Sequence, residues 1–332
     1  MKAKILKPGL KNILSGSKFF IISLLITTVA ALIFIPVTGF GSRLLSSTSV
    51  EAIMPDIEEE EGLPVLMYHH LAPPDAAEWI FEDNEAVITT EQFQQQMELL
   101  AELDYETLTA SDLRKYIKGE KDIQERSVVL TFDDGYESNY HYAYPELKKH
   151  DHHALFFIII SYIEDNKEDD FDPEVLTHMS WEQLEEMIDD DVAEVHHHSY
   201  DSHTHKPINK DGFEEPAMAR PIWLEDEERR ETEEEYRERI RKDIRKGKEV
   251  TRKKLGQDPW ALAYPYGRGA EDIAVEAKRE SIRMGIGIEP GWVQPGDDIW
   301  DVNRINVSPG WSLENFAQAL GEEPEVVEII DK

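Results

Sequence analysis

The sequence predicts an α/β protein: a distorted (β/α)7-type barrel that follows a single N-terminal transmembrane helix. Three observations carry the prediction. A charge-free run extends from Phe19 to Phe40, short apolar runs alternate with helical patterns from Pro64 onward, and two of those runs end in clusters of carboxylates or histidines.

The first element is the span. Its 22 residues, at about 1.5 Å per residue, are long enough for a hydrocarbon core of ~30 Å. Lys2, Lys4, Lys7, Lys11 and Lys18 precede it, and the first 50 residues contain no acidic side chain. Positive flanks stay inside, so residues 1–18 are expected to be a cytoplasmic tail, 19–40 a signal anchor in the cell membrane, and the rest extracellular. A cleaved signal peptide is the rival reading, but its apolar stretch is usually ~7–15 residues. An acidic linker, 41–63, then leads into one domain, 64–325.

Charge is divided as sharply as hydropathy. The net charge is −34, and residues 51–332 carry all 69 acidic side chains against 29 of the 35 basic ones, a balance of −40. Such a surface repels nucleic acid, whose binding depends on Lys and Arg neutralising phosphates. It suits a salty or alkaline exterior, where ions screen self-repulsion. There is no cysteine, which removes disulfides, thiolate ligands and a cysteine nucleophile, so any metal must sit on histidines and carboxylates.

Within the domain, strands are expected at Pro64–His69, Ser127–Phe132, Ala154–Ile160, Val192–His198, Ala261–Tyr264, Met284–Ile288 and Val302–Val307. Helices are expected at Glu91–Leu103, Ser111–Lys118, Tyr140–Lys149, Ser180–Asp189, Glu228–Leu255, Glu271–Glu280 and Ser312–Leu320. Ser180 with Gln183 forms a capping-box pattern, and Ser312 with Glu314 gives another polar helix start. Alternation at this spacing implies a mostly parallel sheet with helices outside, and about seven repeats fit a closed or nearly closed barrel better than an open sheet. Function in such a barrel collects at the C-terminal strand ends. Glu164–Glu174 and Thr204–Glu227 interrupt the alternation on that side and are expected to shape a groove.

Two motifs carry chemistry. Ser127-Val-Val-Leu-Thr-Phe-Asp133-Asp134-Gly135 is a buried-type strand ending in adjacent carboxylates, which can divide metal binding and proton transfer between them, although Asp-Gly alone also reads as a turn. His196-His197-His198-Ser-Tyr-Asp-Ser-His203-Thr-His205 places five histidines in ten positions. Neutral imidazole suits zinc and related ions, and a catalytic zinc takes three protein ligands plus water. A surface metal-scavenging tract is the bland alternative. No P-loop, G-x-G-x-x-G, H-E-x-x-H or G-x-S-x-G occurs, so kinase, dehydrogenase, zincin and serine-hydrolase readings fall away.

Thr-Phe-Asp133-Asp134-Gly, His198-Ser-Tyr-Asp-Ser-His203 and Tyr264-Pro265-Tyr266-Gly267, in that order, resemble the carbohydrate esterase family 4 polysaccharide deacetylases, the NodB-homology domain. The resemblance extends from about Pro64 to about Val307. Pro64-Val-Leu-Met-Tyr-His69 and the five-residue histidine step look more like the branch acting on poly-N-acetylglucosamine. It implies Asp134, His198 and His203 as ligands of a divalent metal, zinc first, with cobalt, nickel or manganese as alternatives. It further implies Asp133 as general base, the Tyr266 backbone N–H as oxyanion donor, and His69 as catalytic acid with His70 as its register-shifted rival. Many members place an arginine where Ala263 stands, to orient the base; Arg304 is the expected substitute.

The implied activity is hydrolytic de-N-acetylation of a polysaccharide containing N-acetylglucosamine, with peptidoglycan glycan, chitin-type oligomers and acetylated xylan as other carriers. A non-catalytic, membrane-tethered glycan-binding protein is the competing reading. A phosphoesterase would want a second metal cluster, which the sequence lacks. Asp201 and Arg268 adjoin the motifs as candidate supporting residues, and Trp260, Trp292, Trp300 and Trp311 are candidates for sugar stacking or plain packing.

Overall fold

The computed structural model describes residues 62–76, 86–165 and 171–329. The expected tail, membrane span and nearly all of the acidic linker lie outside those residues. Among the described residues no helix is long and apolar enough to cross a membrane.

Eight strands form one sheet: β1 (Val65–Tyr68), β2 (Glu106–Thr107), β3 (Ser127–Asp134), β4 (Ala154–Ile158), β5 (Ala193–His197), β6 (Ala261–Ala263), β7 (Met284–Ile286) and β8 (Ile305–Asn306). Seven follow the order β7-β6-β5-β4-β3-β1-β8, with β2 beside β3, and every pairing is parallel. The sheet curls until the segment that carries β8, at one end, touches β7 at the other. Val302 exchanges backbone bonds with the end of β7, donating to Gly285 O at 3.1 Å and accepting from Gly287 N–H at 2.9 Å. Five residues on, Val307 N–H donates to Met67 O of β1 at 3.1 Å.

The strands read as unbroken apolar runs because both faces are covered, as parallel sheets require. Val65, Val129, Leu155, Phe157, Ala261, Ala263, Met284 and Ile286 fill the inside of the curl. Leu66, Leu130, Phe132, Phe156 and Ile158 face outward, beneath α1 (Thr90–Glu102), α3 (Tyr144–Lys149), α4 (Trp181–Asp189) and α7 (Leu313–Ala319). Between α1 and α3 lies α2 (Ala110–Ile117), whose Leu113 and Ile117 join the inner cluster. A long helix, α5 (Glu233–Leu255), packs Tyr236, Ile240 and Ile244 on Leu262 and Tyr264, and α6 (Ala270–Arg279) adds Ile273.

Helix starts follow local chemistry. Ser180 and Gln183 make the reciprocal capping box expected of them. Ser312 makes its capping box with Asn315, since the partner in that motif is the third helical residue. The expected helix at 228 begins five residues later: Glu228 is left-handed (φ 51) and Thr232 with Glu235 forms the box that starts α5. A single π turn, Asn139–Ala143, leads into α3. The stretch expected as irregular at 204–227 instead holds paired ribbons, His205–Pro207 with Glu214–Pro216 and Trp223–Leu224 with Arg229–Arg230.

Candidate metal and catalytic site

Adjacent strand residues point to opposite faces, so Asp133 and Asp134 can share a centre only if the backbone leaves regular β geometry at Asp134. It does. Asp133 keeps the inward parity of Val129, while Asp134 turns left-handed at φ 70 and Gly135 follows at φ 81. Aspartate tolerates that conformation better than most residues. At Gly135 a Cβ would stand 2.9 Å from Ile158 Cγ2, so the glycine of the motif is required by contact as well as by φ.

Asp134 then lies between two imidazoles. Its Oδ1 is 3.5 Å from His198 Nε2 and 3.4 Å from His203 Nε2, and one ligand atom from each of the three residues falls within 4.8 Å of the others. His198 Nδ1 is 2.9 Å from Ala263 O. A carbonyl only accepts, so Nδ1 carries the proton and Nε2 presents its lone pair. Burial pushes His198 down to about 3, against the pull of Asp133, and lowers His203 as well, so both imidazoles are neutral. Burial raises Asp134 to about 6, and its Oδ1 is buried with no hydrogen-bond partner. An orphaned carboxylate oxygen facing two neutral nitrogens fits a divalent cation: the ion would supply the missing partner.

Asp133 is held differently. Arg304, wholly buried, donates from both terminal nitrogens to its two oxygens at 2.8 and 2.7 Å, to Thr131 Oγ1 at 3.1 Å, and from Nε to Gly287 O at 2.8 Å. Burial alone would raise the Asp133 carboxyl; the Arg304 guanidinium, by its charge and by its hydrogen bonds, overcomes it and holds the group well below the usual carboxylate range. Ala263 offers only its carbonyl here, so the guanidinium reaches the carboxylate from the other end of the sheet.

His69 continues the inward parity of Val65 and is an electrostatic neighbour of both Asp133 and Asp134. Its Nδ1 is buried without a hydrogen-bond partner. His70 faces outward: its Nδ1 is 3.0 Å from Ser138 Oγ and its ring stands edge-on to Tyr136 at 5.3 Å. Of the two, His69 faces the carboxylates.

Tyr266 occupies a left-handed turn (φ 58, ψ 17) between Pro265 and Gly267. A Cβ on Gly267 would stand 2.2 Å from Ile288. The Tyr266 ring stacks on His203 at 4.3 Å, and among the described residues nothing accepts a hydrogen bond from its N–H. Of the remaining histidines, His205 contacts the Tyr266 ring at 4.5 Å, His197 turns outward to Ile244 O, and His196 sits inside beside Glu194 and Trp260. Arg268 is exposed, and Asp201 accepts from Ser161 Oγ at 2.9 Å. Trp300 packs under Lys278 and Trp311 in the outer core. Sequence reasoning missed Tyr136. It follows the motif glycine, hydrogen-bonds Asp134 and stacks on His178 at 5.2 Å; its place directly after Asp-Asp-Gly was the available signal.

A parallel, curled α/β sheet with a His-His-Asp cluster and an Arg-fixed carboxylate at its C-terminal mouth is the frame of a metal-assisted hydrolase. The polysaccharide deacetylase family model matches residues 120–285, and the chain belongs to that family. It is 30% identical over 239 residues to the poly-beta-1,6-N-acetyl-D-glucosamine N-deacetylase of Escherichia coli K12, covering 70% of this chain and 35% of that protein. The chain thus spans about a third of that relative. It is 24% identical over 292 residues to the enzyme of the same name from Staphylococcus aureus N315, covering 86% of this chain and 92% of that one. Among solved structures, a de-N-acetylase from Aggregatibacter actinomycetemcomitans superposes with a TM-score of 0.66 at 22% identity, over 77% of this chain and all of that one. IcaB from Ammonifex degensii gives 0.60 at 23% identity, over 79% and 96%. At these identities the superpositions establish the fold.

Proposed function

We propose that this protein is a metal-dependent deacetylase that removes N-acetyl groups from a surface or extracellular polysaccharide of the poly-N-acetylglucosamine type. The observation that carries the reading is the pairing of an orphaned Asp134 oxygen between two neutral imidazoles with a second, fully ionised carboxylate on the same turn. The names of the Escherichia coli and Staphylococcus relatives support the substrate.

Asp134, His198 and His203 would hold the ion, with zinc the first choice for a His-His-carboxylate set. Bound there, it would polarise an acetyl carbonyl and bring the pKa of a water from 15.7 towards ~7. Asp133 takes the proton from the attacking water. Arg304 costs that carboxylate some basicity but keeps it ionised and fixes both oxygens, so the acidity of the water supplies the driving force. The Tyr266 N–H donates to the oxyanion that develops on the carbonyl oxygen, a contribution of typically ~3–4 kcal/mol. His69 gives a proton to the leaving nitrogen, a task that imidazole performs in many enzymes. Acetate and a free amine result.

An uncleaved anchor at 19–40, with the domain outside the cell, places this chemistry at the envelope. A binding protein would need the ion ligands at most; the Asp133–Arg304 pair and the free Tyr266 N–H favour catalysis. The test is acetate release from a panel of acetylated glycans with and without chelator. Chelator-sensitive release from poly-N-acetylglucosamine above the other glycans is expected; no release from any glycan after metal is restored would leave the binding protein as the better reading.

A further inference from the structure

We propose that Asp243, on α5, is a positioning residue that sets the separation of the two histidine ligands; the inference rests on the metal reading above. His198 stands at the end of β5 and His203 five residues later, so the chain between them decides whether two nitrogens reach one ion. That chain leaves the strand through Ser199, a non-glycine residue at φ 76. It is then held by one carboxylate. Asp243 Oδ1 accepts from Tyr200 N–H at 2.8 Å, and Oδ2 accepts from Asp201 N–H at 3.0 Å and Ser202 Oγ at 2.7 Å.

Three donors from three successive residues converge on a side chain that is 9% exposed. The opposite edge of the loop is also tied, by Ile160 N–H to Ser199 O (3.2 Å) and Ser161 N–H to Tyr200 O (2.7 Å). The helix comes this close because Gly247 lacks a side chain: a Cβ there would be 2.2 Å from His197 Nε2. His197 completes the clamp. Ser199 N–H donates to its Nδ1 at 2.9 Å, so its Nε2 carries the proton and faces Ile244 O at 3.3 Å. One helical turn, Asp243 to Gly247, therefore grips the loop from behind without contributing an atom to the ion or the substrate. Outer groups that orient ligands typically change metal affinity by ~10–100-fold when removed.

Asp243→Asn keeps the shape but offers one acceptor oxygen where three donors converge. Its affinity for Co²⁺, read by visible absorption and by competition with a chelator, is expected to fall ~10–100-fold. In metal-free protein, amide exchange at Tyr200 and Asp201 is expected to quicken at least about tenfold, as loss of protecting hydrogen bonds dictates. Ile240→Ala, which hollows the same helix one turn earlier with no atom in the loop, is the control: its Tm drops while Co²⁺ affinity holds. The proposal is overturned if Asp243→Asn binds Co²⁺ as tightly as the wild type, if Ile240→Ala loses the same affinity, or if exchange at the two amides is unchanged. A wild type that takes up no Co²⁺ refutes the metal reading, whereas the exchange measurement still decides whether Asp243 fixes the loop.

Discussion

Arg304 and Asp133 form a buried, bidentate ion pair, and its energetics differ from those of the surface bridges that cover this acidic protein. Removing one partner strands a charge in the interior, which typically costs ~3–5 kcal/mol, while removing both is far milder. Arg304→Met should therefore lower unfolding free energy by about that amount in a denaturant titration, and Asp133→Asn added to it should restore most of the loss. Additive losses would mean that the pair is not coupled. The pair also marks the limit of what the sequence shows at this scale. Asp133, Asp134 and His198 were legible because each sits at the end of an apolar run, and His203 because it stands in the histidine cluster that follows one. Arg304 was legible only through the gap at Ala263, since its partner lies 171 positions away. Asp243 was not legible at all: in a helix crowded with charges of both signs, nothing in the sequence marks this carboxylate as the one that turns inward.

At the scale of elements, β5 carries a second charged group inside the curl. Glu194 lies 3.1 Å from His196 Nε2 and 3.4 Å from His153 Nε2. Burial would raise the Glu194 carboxyl, but hydrogen bonds from His153 and then His196 bring it down to about 2. His153 is raised: burial opposes its charge, and the Glu194 hydrogen bond outweighs it. A depressed carboxyl contributes stability above its unfolded value, ~4.5, and loses it as pH falls through about 2. A raised histidine contributes below ~6.5 and loses it as pH rises through its folded value. Glu194→Gln should accordingly cost most between about pH 4.5 and 6.5, on the order of 1–2 kcal/mol after solvent screening of a partly exposed side chain. It should cost less at pH 2 and at pH 9. A pH-independent loss would remove the assignment. The sheet and its helices were legible because apolar runs and 3.6-residue patterns are long-range signals. The ribbons between His205 and Arg230 were not, because two- and three-residue strands carry too little alternation to register. The start of α5 was misplaced because charge continues through Glu228–Glu231, and only the Thr232 cap marks the turn into helix.

For the whole molecule, the balance of −40 beyond residue 50 bears on how the product of the proposed reaction would leave. Each acetyl removed from a neutral polymer uncovers an amine, so the product becomes a polycation facing a polyanion. Product inhibition is expected at low salt and should weaken as ionic strength rises past ~0.1 M, where charges more than about 10 Å apart are screened. Inhibition that persists unchanged in high salt would contradict it. The proposed anchor adds that the full chain should fractionate with membranes. The central claim, that Asp133 does proton chemistry beside an ion held by Asp134, His198 and His203, is tested most directly by Asp133→Asn. Acetate release from poly-N-acetylglucosamine should fall by ~10²–10⁴-fold, the usual range for a lost general base, while metal content stays at the wild-type level. Undiminished acetate release with metal bound would contradict the account.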